Sequence, residues 1–277
     1  MGADNNHYNQ PRLLETILAK FQELGIGENT VTRDDIAAMD EFHLQGAAVS
    51  QELASKLNLT PDIEVLDVGC GIGGACRMIA DEFSCSVVGL DYTPEYIRTA
   101  RVLTHMIGLS DKVVFQEGNA LHLPFENQSF EVVWTQHAQM NIANKEQFYA
   151  EIQRVLKPGG RFLYYDIFSA DQGEIYYPVP WAEHPQNSHL ITHEEVTSYF
   201  IASEYRREIT ENHTQRAIAA LNAALEQAYS GNAPSLGLNI LMQQSTGEKL
   251  TNLLKCLSKQ KIEVHAGIYA KNDSRLS

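Results

Sequence analysis

Asp67 stands just before the run Gly69-x-Gly71-x-x-Gly74, and a second acid, Asp91, lies further along. Glycines at this spacing let backbone amides approach a ligand closely, and a helix that starts there turns its positive end toward it. A carboxylate about twenty residues after such a turn meets a ribose diol, two hydroxyl donors matching two carboxylate oxygens. The chemistry indicated is the holding of a nucleotide-like molecule. The glycine spacing by itself also suits a dinucleotide, as in a nicotinamide-dependent oxidoreductase, and is a weak signal. Asp67 argues against that ligand: a carboxylate at the mouth of the turn repels pyrophosphate and favours an ammonium or sulfonium group. It can also cap the turn by accepting backbone hydrogen bonds, and the two roles are compatible. Beyond it, Gly118-Asn119-Ala120 and Gln136-His137 each place polar groups after an apolar run, and His137 is the candidate general base.

The elements that position these residues alternate. Apolar runs at 63–68, 86–90, 113–115, 130–134 and 161–168 read as strands, and helical periods fill 74–83, 93–107 and 145–156 between them. The strands are nearly continuous apolar runs, as strands buried on both faces should be. A parallel sheet with helices on both sides follows, with its ligand outside the carboxyl ends of the strands. Before it, 11–25 and 46–58 read as helices, with DEFHLQG (Asp40 to Gly46) as a loop between them. After Phe168 comes a long aromatic loop over 170–190. Thr192-x-x-Glu195 then forms a capping box opening a helix, and a strand at 205–212, helices at 214–229 and 246–259, and a last strand at 262–270 follow.

Composition narrows the class. The 277 residues carry a net charge of −14. Such a surface repels phosphate backbones and anionic lipids, so neither nucleic acid nor a membrane is the expected partner. The four cysteines form no C-x-x-C pair, which suits buried thiols in a reduced, cytoplasmic protein. No run is long enough to span a membrane, and the polar start MGADNN does not read as a signal peptide. His184, His189 and His193 match no standard metal spacing, and no metal is expected.

Taken together, VLDVGCGIGG, GLDYTPEYI, GNALHLPFENQSFEVVW and RVLKPGGRF resemble the class I S-adenosylmethionine-dependent methyltransferases, over roughly residues 62–168. DEFHLQG and WTQHAQMNI (Trp134 to Ile142) further resemble segments of the sarcosine/dimethylglycine N-methyltransferases, and relatives methylating phosphoethanolamine, quinones or tocopherols share parts of both. The implied fold is α/β: a Rossmann-like, doubly wound, seven-stranded sheet, mostly parallel with an antiparallel last strand, plus N-terminal helices and a small cap. Residues 1–60 would be a helical segment covering the cofactor, and 61–277 the methyltransferase domain, with cap insertions around 170–190 and 214–260. The implied cofactor is S-adenosylmethionine, released as S-adenosylhomocysteine.

The resemblance also implies roles. Asp67, Gly69 and Gly71 would line the methionine end, Asp91 the ribose, and Tyr92 the adenine face. Asn119 and Ala120 would meet the adenine edge; many relatives have Asp where Asn119 stands, and an amide oxygen can still accept from the adenine amino group. Gln136 and His137 would lie near the sulfonium, and Gln45 and Gly46 would close over the cofactor. The partner is a small-molecule methyl acceptor, with an amine such as sarcosine or dimethylglycine (betaine synthesis) as first expectation. Carbon or oxygen methylation of a quinone- or tocopherol-like acceptor, or N-methylation of phosphoethanolamine, is the alternative. Tyr176, Tyr177 and Trp181 could face a cationic nitrogen, although aromatics in a long loop commonly serve packing. His43 and Asn141 complete the expected acceptor contacts. A homodimer stays open.

Overall fold

The computed structural model describes residues 10–170, 173–201, 205–232, 234–242 and 245–273. Seven strands form one sheet: β1 (Glu64–Val68), β2 (Ser86–Asp91), β3 (Val113–Glu117), β4 (Phe130–Gln136), β5 (Leu156–Ser169), β6 (Tyr205–Asn212) and β7 (Ile262–Lys271). Their order is β3-β2-β1-β4-β5-β7-β6. The first five pair in parallel, and β7 runs antiparallel to both β5 and β6. The strand order reverses beside β1, so the crevice opens at the carboxyl ends of β1, β2 and β4. This is the sheet expected from the sequence, antiparallel last strand included.

The helices are α1 (Leu13–Leu24), α2 (Arg33–Asp40), α3 (Gly46–Ala54), α4 (Gly74–Phe83), α5 (Pro94–Met106), α6 (Lys145–Val155), α7 (His193–Ile201), α8 (Thr214–Tyr229), α9 (Asn239–Met242) and α10 (Thr246–Ser258). Alternate residues of β1 face opposite cores, which is why its sequence is apolar throughout. Val65 joins a cluster with α3, α4, α8 and α10, whereas Leu66 and Val68 join one with α6 and α7. A third cluster ties α1, α2 and α9 to Ile72, Tyr96 and Leu103.

Several local details differ from the sequence reading. α2 is an addition; its capping box uses Asp35 at N3, with Thr32 N donating to Asp35 Oδ2 (2.8 Å) and Asp35 N to Thr32 Oγ1 (3.4 Å). α9 is an addition too, a single turn too short to show a period. Thr93 is the N-cap residue of α5 without a side-chain cap bond, and its amide donates to Asp91 Oδ1 at 2.8 Å. β5 begins at Leu156, which pairs with Phe130, five residues before the strand read from 161, and the Pro158-Gly159-Gly160 stretch is a bulge within it. The capping box at Thr192 and Glu195 forms as read, with Thr192 N donating to Glu195 Oε2 at 2.7 Å.

α2 is anchored by a buried ion pair. Arg77 of α4 is fully buried and donates to both carboxylate oxygens of Asp40. The same guanidinium reaches Ile72 O (2.6 Å) and Thr104 Oγ1 (2.9 Å), so it joins α2, the glycine turn and α5. Gly74 makes the approach possible, because a Cβ there would overlap the Asp40 carbonyl. Removing one partner leaves an uncompensated charge in the interior. Asp40→Ala should therefore lose about 3–5 kcal/mol in urea unfolding, and pairing it with Arg77→Met should recover part of the loss. A loss below about 1 kcal/mol would show that the pair does not hold α2 in place.

Candidate active site

A cavity of about 510 Å³ lies over the ends of β1, β2 and β4. Gly69, Gly71 and Gly73 have positive φ, which lets the chain reverse tightly between β1 and α4. Gly69 has a second reason: an added Cβ would sit 2.7 Å from Ala138 Cβ. At the end of β2 Asp91 accepts from Gly71 N at 3.0 Å through Oδ2 and from Thr93 N through Oδ1. Burial raises its pKa, and these backbone donors offset part of that. One carboxylate thus joins two loops and keeps lone pairs for a diol.

Asp67 sits deeper. It is buried, takes a hydrogen bond from Cys76 Sγ (3.2 Å), and is pushed up to about 7 by burial, with Glu41 and Asp91 adding to the rise. Such a carboxyl favours a cation that can pair with it.

His137 follows β4 in the left-handed region, at φ 47°. Its amide donates to Tyr165 O (2.9 Å) and its ring stacks on Tyr165 at 5.3 Å and 17°. Next to it, Asp166 Oδ2 accepts from Ala138 N (3.2 Å) and Gln139 N (3.1 Å), while buried Lys145 donates to Gln139 O and Ile142 O. These fixed neighbours hold a strained backbone in place. The Nε2 atom of His137 is buried without a hydrogen-bond partner. Burial, and secondarily His43, lowers its pKa well below the usual value, which favours the neutral ring.

The DEFHLQG segment lines the cavity. Glu41 Oε2 meets His43 Nε2 at 2.6 Å and accepts from Ser50 Oγ at 2.7 Å; Ser50 in turn meets the Gln136 amide at 3.2 Å. Trp134 Nε1 donates to Gln136 Oε1 at 2.9 Å, which fixes the orientation of that amide. Gln45 Nε2 donates to Tyr165 OH at 2.6 Å. That segment and the ring beneath His137 are therefore connected.

Of the residues singled out from sequence, Gln45, Gly46, Asp67, Gly69, Gly71, Asp91, Tyr92, Ala120, Gln136, His137, His43, Asn141 and Trp181 line this one cavity. Three do not. The amide oxygen of Asn119 accepts from Leu121 N (2.9 Å) and closes its own turn. Tyr176 lies under Lys255, whose Nζ is 3.7 Å from the ring centre, and Tyr177 is half-buried with its hydroxyl on Ser188. Both tyrosines pack the loop against the cap. Sequence reasoning missed Asp40, Glu41, Ser50, Arg77, Lys145 and Asp166; only Glu41, two residues before His43, carried a local signal. Among the described residues Glu52, Glu211 and His213 come close enough to surround an ion, but Arg216 and Lys56 already hold both carboxylates.

A model of the family described as a methyltransferase domain matches residues 59–255, and the chain belongs to that family. Against a sterol 24-C-methyltransferase of Gibberella zeae it is 38% identical over 119 residues, which cover 43% of this chain and 31% of that protein. Against a glycine/sarcosine/dimethylglycine N-methyltransferase of Actinopolyspora halophila it is 28% identical over 152 residues, 55% of this chain and 26% of that one. The matched stretch thus spans about a third or less of these two relatives. Among solved structures, a geranyl diphosphate C-methyltransferase of Streptomyces coelicolor superposes with a TM-score of 0.67 at 14% identity, covering 98% of this chain and 88% of its own. The [4+2]-cyclase SpnF superposes at 0.68 and 17% identity, over 95% of each chain. These likenesses establish the fold, which hosts more than one chemistry.

The burial of Asp67 has a measurable consequence. A carboxyl near 3.8 when unfolded and about 7 when folded binds more protons in the native state across that window. Its contribution to stability is therefore present at low pH and lost as pH rises from about 4 to 7. Asp67→Asn should flatten this part of the profile by on the order of 2 kcal/mol in ligand-free urea unfolding at pH 5 and pH 8. Parallel pH profiles for the variant and the parent would show that Asp67 is not so perturbed.

Proposed function

We propose that this chain transfers a methyl group from S-adenosylmethionine to an oxygen or carbon of a small, uncharged, largely apolar acceptor. One observation carries the acceptor class: among the described residues lining the cavity there is no lysine or arginine, and the lining includes Trp181, Leu221, Met242, Leu250 and Leu253. A sarcosine-type acceptor brings a carboxylate, and phosphoethanolamine a phosphate; either would be desolvated here without a cationic partner. The amine acceptor anticipated from the sequence is thus the less favoured reading. The partial match to a sterol C-methyltransferase supports the apolar one.

Asp67 would take the ammonium of the cofactor and Asp91 the ribose hydroxyls, with the amides of the glycine turn beside them. Tyr92, 52% exposed, offers a ring face to the adenine. The bound cofactor supplies an electrophilic methyl on a sulfonium. The protein's part is alignment and exclusion of water, which falls to the 1–60 segment through Glu41, Gln45 and Gly46. His137 Nε2 receives the proton that an acceptor hydroxyl or activated carbon loses.

Release of S-adenosylhomocysteine should be seen with phenolic or enolic apolar acceptors and not with sarcosine, dimethylglycine or phosphoethanolamine. Turnover confined to the amines would overturn the acceptor class, and none with any acceptor despite cofactor binding would favour a non-methylating member of the fold. His137→Ala should lower kcat about a hundredfold or more while S-adenosylhomocysteine affinity stays within about twofold. An equal fall in both would make His137 part of cofactor binding instead.

A further inference from the structure

Four acids line the cavity: Asp40, Glu41, Asp67 and Asp91. Asp40 is paired with Arg77, while Asp67 would take the ammonium of the cofactor and Asp91 its ribose. Glu41 has no such task, although it is only 7% exposed and a buried charge is costly. One of its oxygens, Oε2, meets His43 Nε2 at 2.6 Å and accepts from Ser50 Oγ at 2.7 Å. Burial alone would raise this carboxyl, yet His43 and Ser50 hold it below its usual range, in the charged form. The other oxygen, Oε1, has no hydrogen-bond partner among the described residues and is not sealed off as His137 Nε2 is. The same carboxylate is tied through Ser50 to Gln136 at the end of β4, and its charge contributes to the rise of Asp67 at the end of β1. Asp67 marks the methionine end of the cavity and Gln136-His137 the acceptor end, so Glu41 lies where the two meet.

We propose that the open oxygen of Glu41 faces the sulfonium of bound S-adenosylmethionine and biases the site toward the charged cofactor relative to its neutral product. The proposal rests on the cofactor and holds whatever the acceptor is. In the transfer an electron pair of the acceptor forms the new bond to the methyl carbon, and the pair of the broken S–C bond stays on sulfur. Glu41 thus faces a full positive charge before transfer and a neutral thioether after it. Attraction between unit charges a few ångströms apart in a partly screened site is worth about tenfold or more in affinity. It falls away with the charge, so the spent nucleoside is held less tightly than the fresh one. Because the charge on sulfur is greatest before transfer, the contact acts on binding and not on the rate of the chemical step. Asp67 differs in this respect: the ammonium it would hold is present in cofactor and product alike.

The test is calorimetric titration of the full chain, without acceptor, with S-adenosylmethionine and with S-adenosylhomocysteine. The ratio of the two affinities is the readout, since everything the two nucleosides share cancels in it. Glu41→Gln, which keeps the shape and removes the charge, should cut that ratio about tenfold relative to the parent, with S-adenosylhomocysteine affinity kept within about twofold. Asp67→Asn should weaken both nucleosides by similar factors and leave the ratio in place. Should Glu41→Gln fail to fold, as judged by melting temperature, Glu41→Asp withdraws the carboxylate by one methylene and should cut the ratio by about threefold. A ratio that survives in a folded Glu41 variant overturns the proposal, and so does an equal loss for both nucleosides, which would make Glu41 a structural part of the pocket. Failure of the parent to bind either nucleoside would remove the cofactor, and the proposal with it.

Discussion

Arg77 has no exposed surface, and its guanidinium is shared among Asp40, the Ile72 carbonyl and the Thr104 hydroxyl. One side chain therefore fixes the end of α2, the glycine turn and the flank of α5 relative to each other. The DEFHLQG lining of the cavity starts from this junction, because Glu41, His43 and Gln45 follow close after Asp40. A buried charge is costly unless its donors are spent, and here every terminal nitrogen has an acceptor. The resulting constraint is geometric: the segment that lines one side of the cavity starts from a fixed point on the glycine turn that lines the other.

The electrostatics of the cavity follow from the same arrangement. Asp40, Glu41, Asp67 and Asp91 all line it. Asp40 is answered by Arg77, and Glu41 by His43, whose contact together with the Ser50 hydroxyl holds that carboxyl below its usual range despite burial. Asp91 is answered by backbone amides. Burial still raises Asp91, and raises Asp40 to about 6; Asp67, whose side-chain donor among the described residues is the Cys76 thiol, is pushed up to about 7. An acidic pocket of this kind selects a cationic ligand by charge before shape, and holds it better than a neutral analogue. His137 belongs to the same field but to its apolar border, where burial favours the neutral ring.

The sheet was legible in the sequence because parallel strands buried on both faces read as unbroken apolar runs, and because glycine spacing and a following acid are local patterns. α2 was not: RDDIAAMD is mostly polar, and its apolar residues number too few to establish a period. The Asp40–Arg77 pair spans 37 positions, and no local rule links its members. Asn119 shows a different limit. Its place in the chain is the one expected, but its amide is consumed by the turn it sits in. Tyr176, Tyr177 and Trp181 show that composition cannot tell facing from packing. All three lie in one aromatic loop; the indole reaches the cavity while its Nε1 donates to Ser188, and both tyrosines turn toward other contacts.

The acceptor end was hardest to read for a physical reason. The cofactor end is defined by charges and hydrogen-bond donors at fixed spacing, so few residue types will serve. The acceptor wall is defined by the absence of such groups and by the size of the space left over. An alanine at 224 looks like any helix-forming residue until the tertiary structure turns it toward a cavity. Its information lies in the side-chain atoms it lacks. On the apolar-acceptor reading, exchanging lining residues of the cap would alter what fits while leaving the carboxylates and amides at the strand ends in place.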